Sequence, residues 1–124
     1  MIIDTSAVMA ILLDEAEARD LAADIEAAAD VRMSAASVVE ASLVCGAARQ
    51  DDLDEFLRVS GAVIVPVDED QVAIAREAHL RFGRGSGSPA KLNYGDCFSY
   101  ALARQRGERL LFAGDDFTHN DLEA

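Results

Sequence analysis

The chain has 124 residues, 51% of them hydrophobic, and its 23 Asp and Glu against 11 Lys and Arg leave a net charge of −12. That length suits one compact domain and is short for two, while the apolar content is too high for a disordered acidic chain. A protein this negative does not hold nucleic acid by bulk electrostatics, because most of its surface repels phosphate.

Met1-Ile2-Ile3 reads as a short strand ended by Asp4. Helical patterning follows over Ala7–Leu13 and Ala16–Ala29, the second with Ala18, Leu21, Ala22 and Ile25 at the 3.6-residue period. Val31-Arg32-Met33 is a second short strand. Ser34 to Ser37 opens a helix that runs through Val38, Val39, Ser42 and Leu43 to about Gln50. Asp51-Asp52 looks like the cap of a helix carrying Leu53, Phe56 and Leu57. Ala62-Val63-Ile64-Val65-Pro66 is the clearest strand. Asp68 starts a helix whose apolar face holds Val72, Ala75, Ala78 and Phe82, and which ends at Gly83. A Gly/Ser/Pro loop over 84–92, a helix over Asn93–Arg106, a strand at Arg109–Phe112 and a polar tail complete the chain.

The order is β-α-α-β-α-α-β-α-α-β, and the strands are continuous apolar runs. Strands of that kind are buried on both faces, so the expected fold is α/β, one domain over residues 1–124 with a central parallel sheet flanked by helices. Ligands of such sheets bind outside the carboxyl ends of the strands. No apolar run approaches the roughly 20 residues of a membrane span, and the N-terminal residues lack a secretory leader pattern. Cys45 and Cys97 fit neither a zinc nor a CxxC pattern. Reduced thiols and a cytoplasmic location are expected.

Four carboxylates fall where that rule directs attention. Asp4 follows the first strand, though Asp is also a common N-cap. Glu40 follows the second strand on a helix, but Ser37-Val38-Val39-Glu40 also has the form of a capping box. Asp96 opens a late helix, where the helix dipole alone favours an acid. Asp115 and Asp116 follow the last strand, in a Gly-Asp context that also suits a turn. Clustered carboxylates repel one another unless a cation is present. Hard oxygen donors select Mg²⁺ or Mn²⁺, and such ions activate water against phosphodiesters. The two histidines, His79 and His119, lie away from the acids and read as surface residues.

Met1 to Ala7, Glu40, Leu92 to Ala103 and Leu110 to Phe117 resemble PIN-domain ribonucleases, and within them the VapC toxins of bacterial type II toxin–antitoxin pairs. The segment around Asp96, Leu92-Asn93-Tyr94-Gly95-Asp96-Cys97, is the most specific part. The resemblance implies a Mg²⁺- or Mn²⁺-dependent endoribonuclease with an α/β/α fold, usually a homodimer, inhibited by a cognate antitoxin. Residue by residue it makes Asp4, Glu40 and Asp96 catalytic metal ligands, with Asp116 favoured over Asp115 as the fourth. It makes Ser6 a hydroxyl that orients metal water or substrate, against a plain cap.

An RNA substrate requires local attraction. Residues 78–95 hold no acid and carry His79, Arg81, Arg84 and Lys91, the chain's sole lysine. Arg81, Arg84 and Lys91 would position phosphates beside the acids, unless the loop is simply solvated. Tyr94 and Phe98, four apart on a helix, read as core in preference to base-stacking residues. An Arg-bearing antitoxin segment would pair with the crevice carboxylates, and the apolar helices at 38–59 would supply a dimer interface. Two readings compete with the nuclease: an inert PIN-like binding module, and a phosphoacceptor signalling domain. The latter lacks its paired acids after the first strand and its Asp after Val63-Ile64-Val65.

Overall fold

The computed structural model describes residues 1–115 together with Phe117 and Thr118. Strands β1 (Ile2–Ile3), β2 (Arg32–Ser34), β3 (Val63–Val65) and β4 (Leu110–Leu111) form one parallel sheet in the order β3-β2-β1-β4. The helices between them are α1 (Thr5–Leu12), α2 (Ala18–Ala27), α3 (Ala35–Cys45), α4 (Gln50–Ser60), α5 (Glu69–Phe82) and α6 (Tyr94–Arg106). Element order therefore follows the sequence pattern.

Successive strand residues point to opposite faces, and the two cores obey that alternation. Ile3, Met33 and Leu111 pack with α1 to α4, while Ile2 and Leu110 pack with α5 and α6. The chain leaves β1 toward β2 and β3, then crosses to the other side of β1 for β4. The topological switch thus lies at the carboxyl ends of β1 and β4, where ligand crevices form in such sheets.

Three local readings change. The helix expected to reach about Gln50 stops at Cys45, because Gly46 takes φ +68° and a 3₁₀ turn over Ala47–Arg49 intervenes before α4. Consequently Asp51 and Asp52 lie in the first turn of α4, after a cap position occupied by Arg49. Strand β3 is not buried on both faces. It is a sheet edge, with Val63 59% exposed and Ile64 49% exposed. Apolar composition marks a strand but does not distinguish an interior strand from an edge whose free face meets another surface.

Glu108, in the turn before β4, ties the N-terminal edge of the sheet together. Its Oε1 accepts from the Met1 ammonium at 2.8 Å and from Arg32 at 2.7 Å, and its Oε2 accepts from Arg106 at 2.6 Å. Partial burial pushes the carboxyl up, but those donors and the charges behind them outweigh it and hold the group below its ordinary value of 4.5. A depressed carboxyl contributes stability that is present above its unfolded pKa and lost as pH falls through its folded one. Glu108→Gln is therefore expected to cost about 1 kcal/mol at pH 7. Urea midpoints for variant and wild type should converge as pH falls through the depressed pKa of the folded carboxyl; a gap that persists once that carboxyl is protonated would mean packing, not charge, carries the effect.

Candidate metal centre and its surroundings

Asp4 is the residue at which β1 becomes α1. Its backbone is extended, and its Oδ2 accepts the Ser6 amide at 3.0 Å, so it is the N-cap of α1. It is also 1% exposed, which a cap alone does not require. Its other oxygen, Oδ1, accepts the Ser99 hydroxyl of α6 at 2.6 Å. Burial pushes the Asp4 carboxyl above its usual range, and the hydrogen bonds from Ser99, Ser6 and Thr5 only partly oppose this. No ion pair to Asp4 is found among the described residues.

The Ser99 hydroxyl also shares a hydrogen bond of 3.1 Å with the Ser37 hydroxyl of α3, and Thr5 Oγ1 donates to the Ser37 carbonyl at 3.1 Å. A buried hydroxyl chain therefore locks α1, α3 and α6 together behind Asp4. Ser37 and Ser99 are fully buried. Each lies one helical turn from an acid, Glu40 on α3 and Asp96 on α6, so the lock also fixes those two helical faces against each other.

Ser37 sits inside α3, not at its start, because the N-cap is Ser34, whose hydroxyl accepts the Ala36 amide at 3.3 Å. Ser37–Glu40 is consequently not a capping box. Half-buried Glu40 projects from the middle of α3, and its carboxyl lies against Gly95 in the first turn of α6. A Cβ on Gly95 would overlap that carboxyl.

The capping box belongs instead to Asp96. Asn93 Oδ1 accepts the Asp96 amide, and Asp96 Oδ2 accepts the Asn93 amide, both at 2.9 Å. Asp96 thus helps to cap its helix and stands, 6% exposed, on the buried side of α6. Ser6 is not a cap. Its hydroxyl accepts the Ala113 amide at 3.0 Å and draws the segment after β4 toward the start of α1. Asp115, in that segment, is exposed. Asp116 and His119 lie outside the described residues.

Asp4 is thus tied through Ser99 and Ser37 to the two helices that carry Asp96 and Glu40, and Glu40 lies against Gly95, the neighbour of Asp96. Among the described residues, no three His, Cys, Asp or Glu side chains converge closely enough to enclose an ion. The donors nonetheless suit a hard divalent cation: all are carboxyl groups, and Asp4 is buried without a cationic partner among the described residues. Cys97 is no nucleophile here, since burial and the charge of Asp96 push its thiol up to about 11.

The basic residues separate. Arg84 and Lys91 are exposed on the loop that joins α5 to α6, whose ends are pinned by Leu92 N–H donating to the Phe82 carbonyl at 3.0 Å. Arg81 lies on another flank of α5, its guanidinium 4.7 Å from the Phe82 ring centroid and 3.9 Å from Glu77, beside Tyr100 and Arg104. Tyr94 does not enter the core; it is 81% exposed. The Ser37–Ser99–Asp4 hydroxyl link and the contact of Gly95 with Glu40 escaped the sequence reading, although Ser99 stands three residues after Asp96, on the same helical face.

Comparison with known proteins accords with this geometry. The PIN domain family matches residues 1–122. Ribonuclease VapC28 of Mycobacterium tuberculosis is 49% identical over 128 residues, covering 99% of this chain and 96% of its own. Ribonuclease VapC42 of the same species is 44% identical over 129 residues, covering 98% and 96%. Among solved structures, Mycobacterium tuberculosis VapC20, a Sarcin-Ricin loop cleaving toxin, superposes with a TM-score of 0.77 over 98% of this chain and 95% of its own, at 18% identity. That likeness shows the fold, and the sequence matches show the lineage: the chain belongs to the PIN-domain family, among the VapC ribonucleases.

Proposed function

We propose that this chain is a Mg²⁺- or Mn²⁺-dependent endoribonuclease, the toxin of a toxin–antitoxin pair, acting in the cytoplasm as one PIN-like domain over residues 1–124. The observation that carries the reading is Asp4, a buried carboxylate at the topological switch with no cationic partner among the described residues. Asp4, Glu40, Asp96 and Asp116 would hold the ion, which when bound orients water and neutralises charge on a phosphodiester. Ser99 and the Ser6 amide keep both Asp4 oxygens aimed by hydrogen bonds. The Asn93 cap holds Asp96. Ser6, Arg84 and Lys91 would meet the RNA, with Arg81 farther along α5; a handful of cations beside the crevice offsets repulsion from the rest of the surface.

The names of the relatives support the ribonuclease class. Two further partners follow from surface chemistry. Val39, Leu43 and Val44 are exposed on α3, Leu43 to 78%, and such an apolar face supports a homodimer. A groove of about 900 Å³ between α1, α2 and α4 has Ile11, Ile25 and Phe56 on its floor and Glu26, Asp52 and Glu55 on its rim. It suits a basic amphipathic segment of the antitoxin. Complex formation should then weaken as salt rises; equal affinity at low and high salt would sink the charged-rim account. Among the described residues, no helix is long and apolar enough to cross a membrane.

The test is cleavage of a mixed RNA pool by purified, antitoxin-free protein in Mg²⁺, in Mn²⁺ and in EDTA, beside Asp96→Asn. Cuts that need metal and vanish in the variant support the reading. A folded protein that leaves every RNA intact in both metals would make the chain an inert binding module.

A further inference from the structure

On the opposite flank of the first turn of α6 from Ser99 lies a cavity of about 780 Å³, between α5 and the 84–92 loop. Its floor is apolar, with Val72, Leu92 and Phe98, and its rim carries Arg76, His79 and Arg84. Val72 remains 45% exposed although it belongs to the apolar face of α5, so this part of the face is left open. Tyr94 stands at the mouth, 81% exposed, its ring edge-on to Phe98 with centroids 5.0 Å apart. Neither rim arginine, Arg76 or Arg84, forms an ion pair with the described residues. An open aromatic over an apolar floor, flanked by two arginines without an ion pair among the described residues in a chain of net charge −12, is complementary to a planar base attached to a phosphate.

One residue, Asn93, links the cavity to Asp96. Asn93 lines it, and the same residue exchanges two hydrogen bonds with Asp96. A helix with its side chains is about 10 Å across, so a single strand passing over the start of α6 reaches both sides with neighbouring nucleotides.

We propose that this cavity is a base-binding subsite, in which one unpaired nucleobase of the RNA stacks on Tyr94 while Arg76 and Arg84 hold its flanking phosphates, next to the phosphodiester at the acids. The inference rests on the endoribonuclease reading and adds to it a residue that sets which sequence is cut. Stacking alone tolerates any base; the rim hydrogen-bond donors and the closed floor supply the preference. Single-stranded RNA is the required form, because a paired base cannot enter.

The test uses labelled single-stranded RNA oligonucleotides of mixed sequence. Binding is measured on the Asp96→Asn protein with and without Tyr94→Ala, Tyr94→Phe and Arg76→Ala/Arg84→Ala. Cleavage is measured in the same variants with Asp96 intact. Tyr94→Ala is expected to weaken binding about 5- to 100-fold, raise KM with little change in kcat, and flatten the base preference beside the cut. Tyr94→Phe should restore all three. The double arginine variant should bind more weakly and with a shallower salt dependence.

Unchanged affinity and unchanged cut sites in Tyr94→Ala would overturn the subsite. So would a change in the sedimentation mass of that variant, because the face would then be a contact between protein chains. Failure of the nuclease reading is separate: protein with all its acids would not cleave in metal, whatever Tyr94 does to binding. RNA bound by no variant would overturn the subsite, and the nuclease reading as well only if the protein with all its acids also fails to cleave.

Discussion

Asp4→Asn is expected to abolish cleavage and at the same time to stabilise the metal-free protein. Outer-shell partners of metal ligands are worth about 10- to 100-fold in affinity or activity, so loss of a ligand itself should exceed that. The fold survives because the amide can satisfy the same neighbours. Its oxygen accepts the Ser6 amide as Asp4 Oδ2 does, and its NH₂ donates to Ser99, whose hydroxyl then turns to Ser37. The buried charge disappears, which should raise the melting temperature by a few degrees, on the order of 1 kcal/mol.

The pH dependence separates this from a generic cap effect. Burial holds the Asp4 carboxyl above its ordinary 3.8, so the folded state binds that proton more tightly than the unfolded one. Stability of the wild type therefore falls, relative to Asp4→Asn, as pH rises from the ordinary value through the folded one. The variant should lead at pH 7 and lose its lead in acid. Calorimetry in EDTA across that range checks it. A variant less stable than wild type at pH 7 would make Asp4 a structural cap and remove the main support for a metal centre.

The sequence made the order of elements legible because each strand is an apolar run and most helices are bracketed by recognisable caps. Asp68, which accepts the Gln71 amide at 2.9 Å, is one such signal. The places of Asp4 after β1, Glu40 on α3 and Asp96 at the start of α6 were legible too, because they depend on chain order alone. Side-chain partners were not. Ser37–Glu40 and Asn93–Asp96 share one spacing, yet only the second is a capping box, since Ser34 had already started α3 one turn earlier.

Exposure was the other blind spot. Tyr94 and Phe98 sit at helical spacing, which is equally compatible with a core stripe and with the rim of a cavity. Val63 and Ile64 look buried until the strand order puts β3 at the edge. Tertiary placement decides these cases, and a local pattern does not carry it.

Gly95→Ala is expected to leave the protein folded and to remove most of its activity. Alanine favours a helix over glycine by about 1 kcal/mol, and Gly95 is in the first turn of α6, so local propensity improves. The cost falls elsewhere. The new methyl group would occupy the space of the Glu40 carboxyl, and that carboxyl, at the end of a flexible side chain, moves more cheaply than either helix. Displacing it takes one acid away from Asp4 and Asp96 without changing any acid. Cleavage should drop by about 10- to 100-fold, the scale of a disturbed ligand shell, while thermal stability holds or rises. A double-mutant cycle identifies the route: on a Glu40→Ala background, Gly95→Ala should cost almost nothing further, because the group it displaces is gone. If the two losses multiply instead, the methyl group acts through the α6 backbone or the RNA path, and Glu40 is not the acid that Gly95 makes room for.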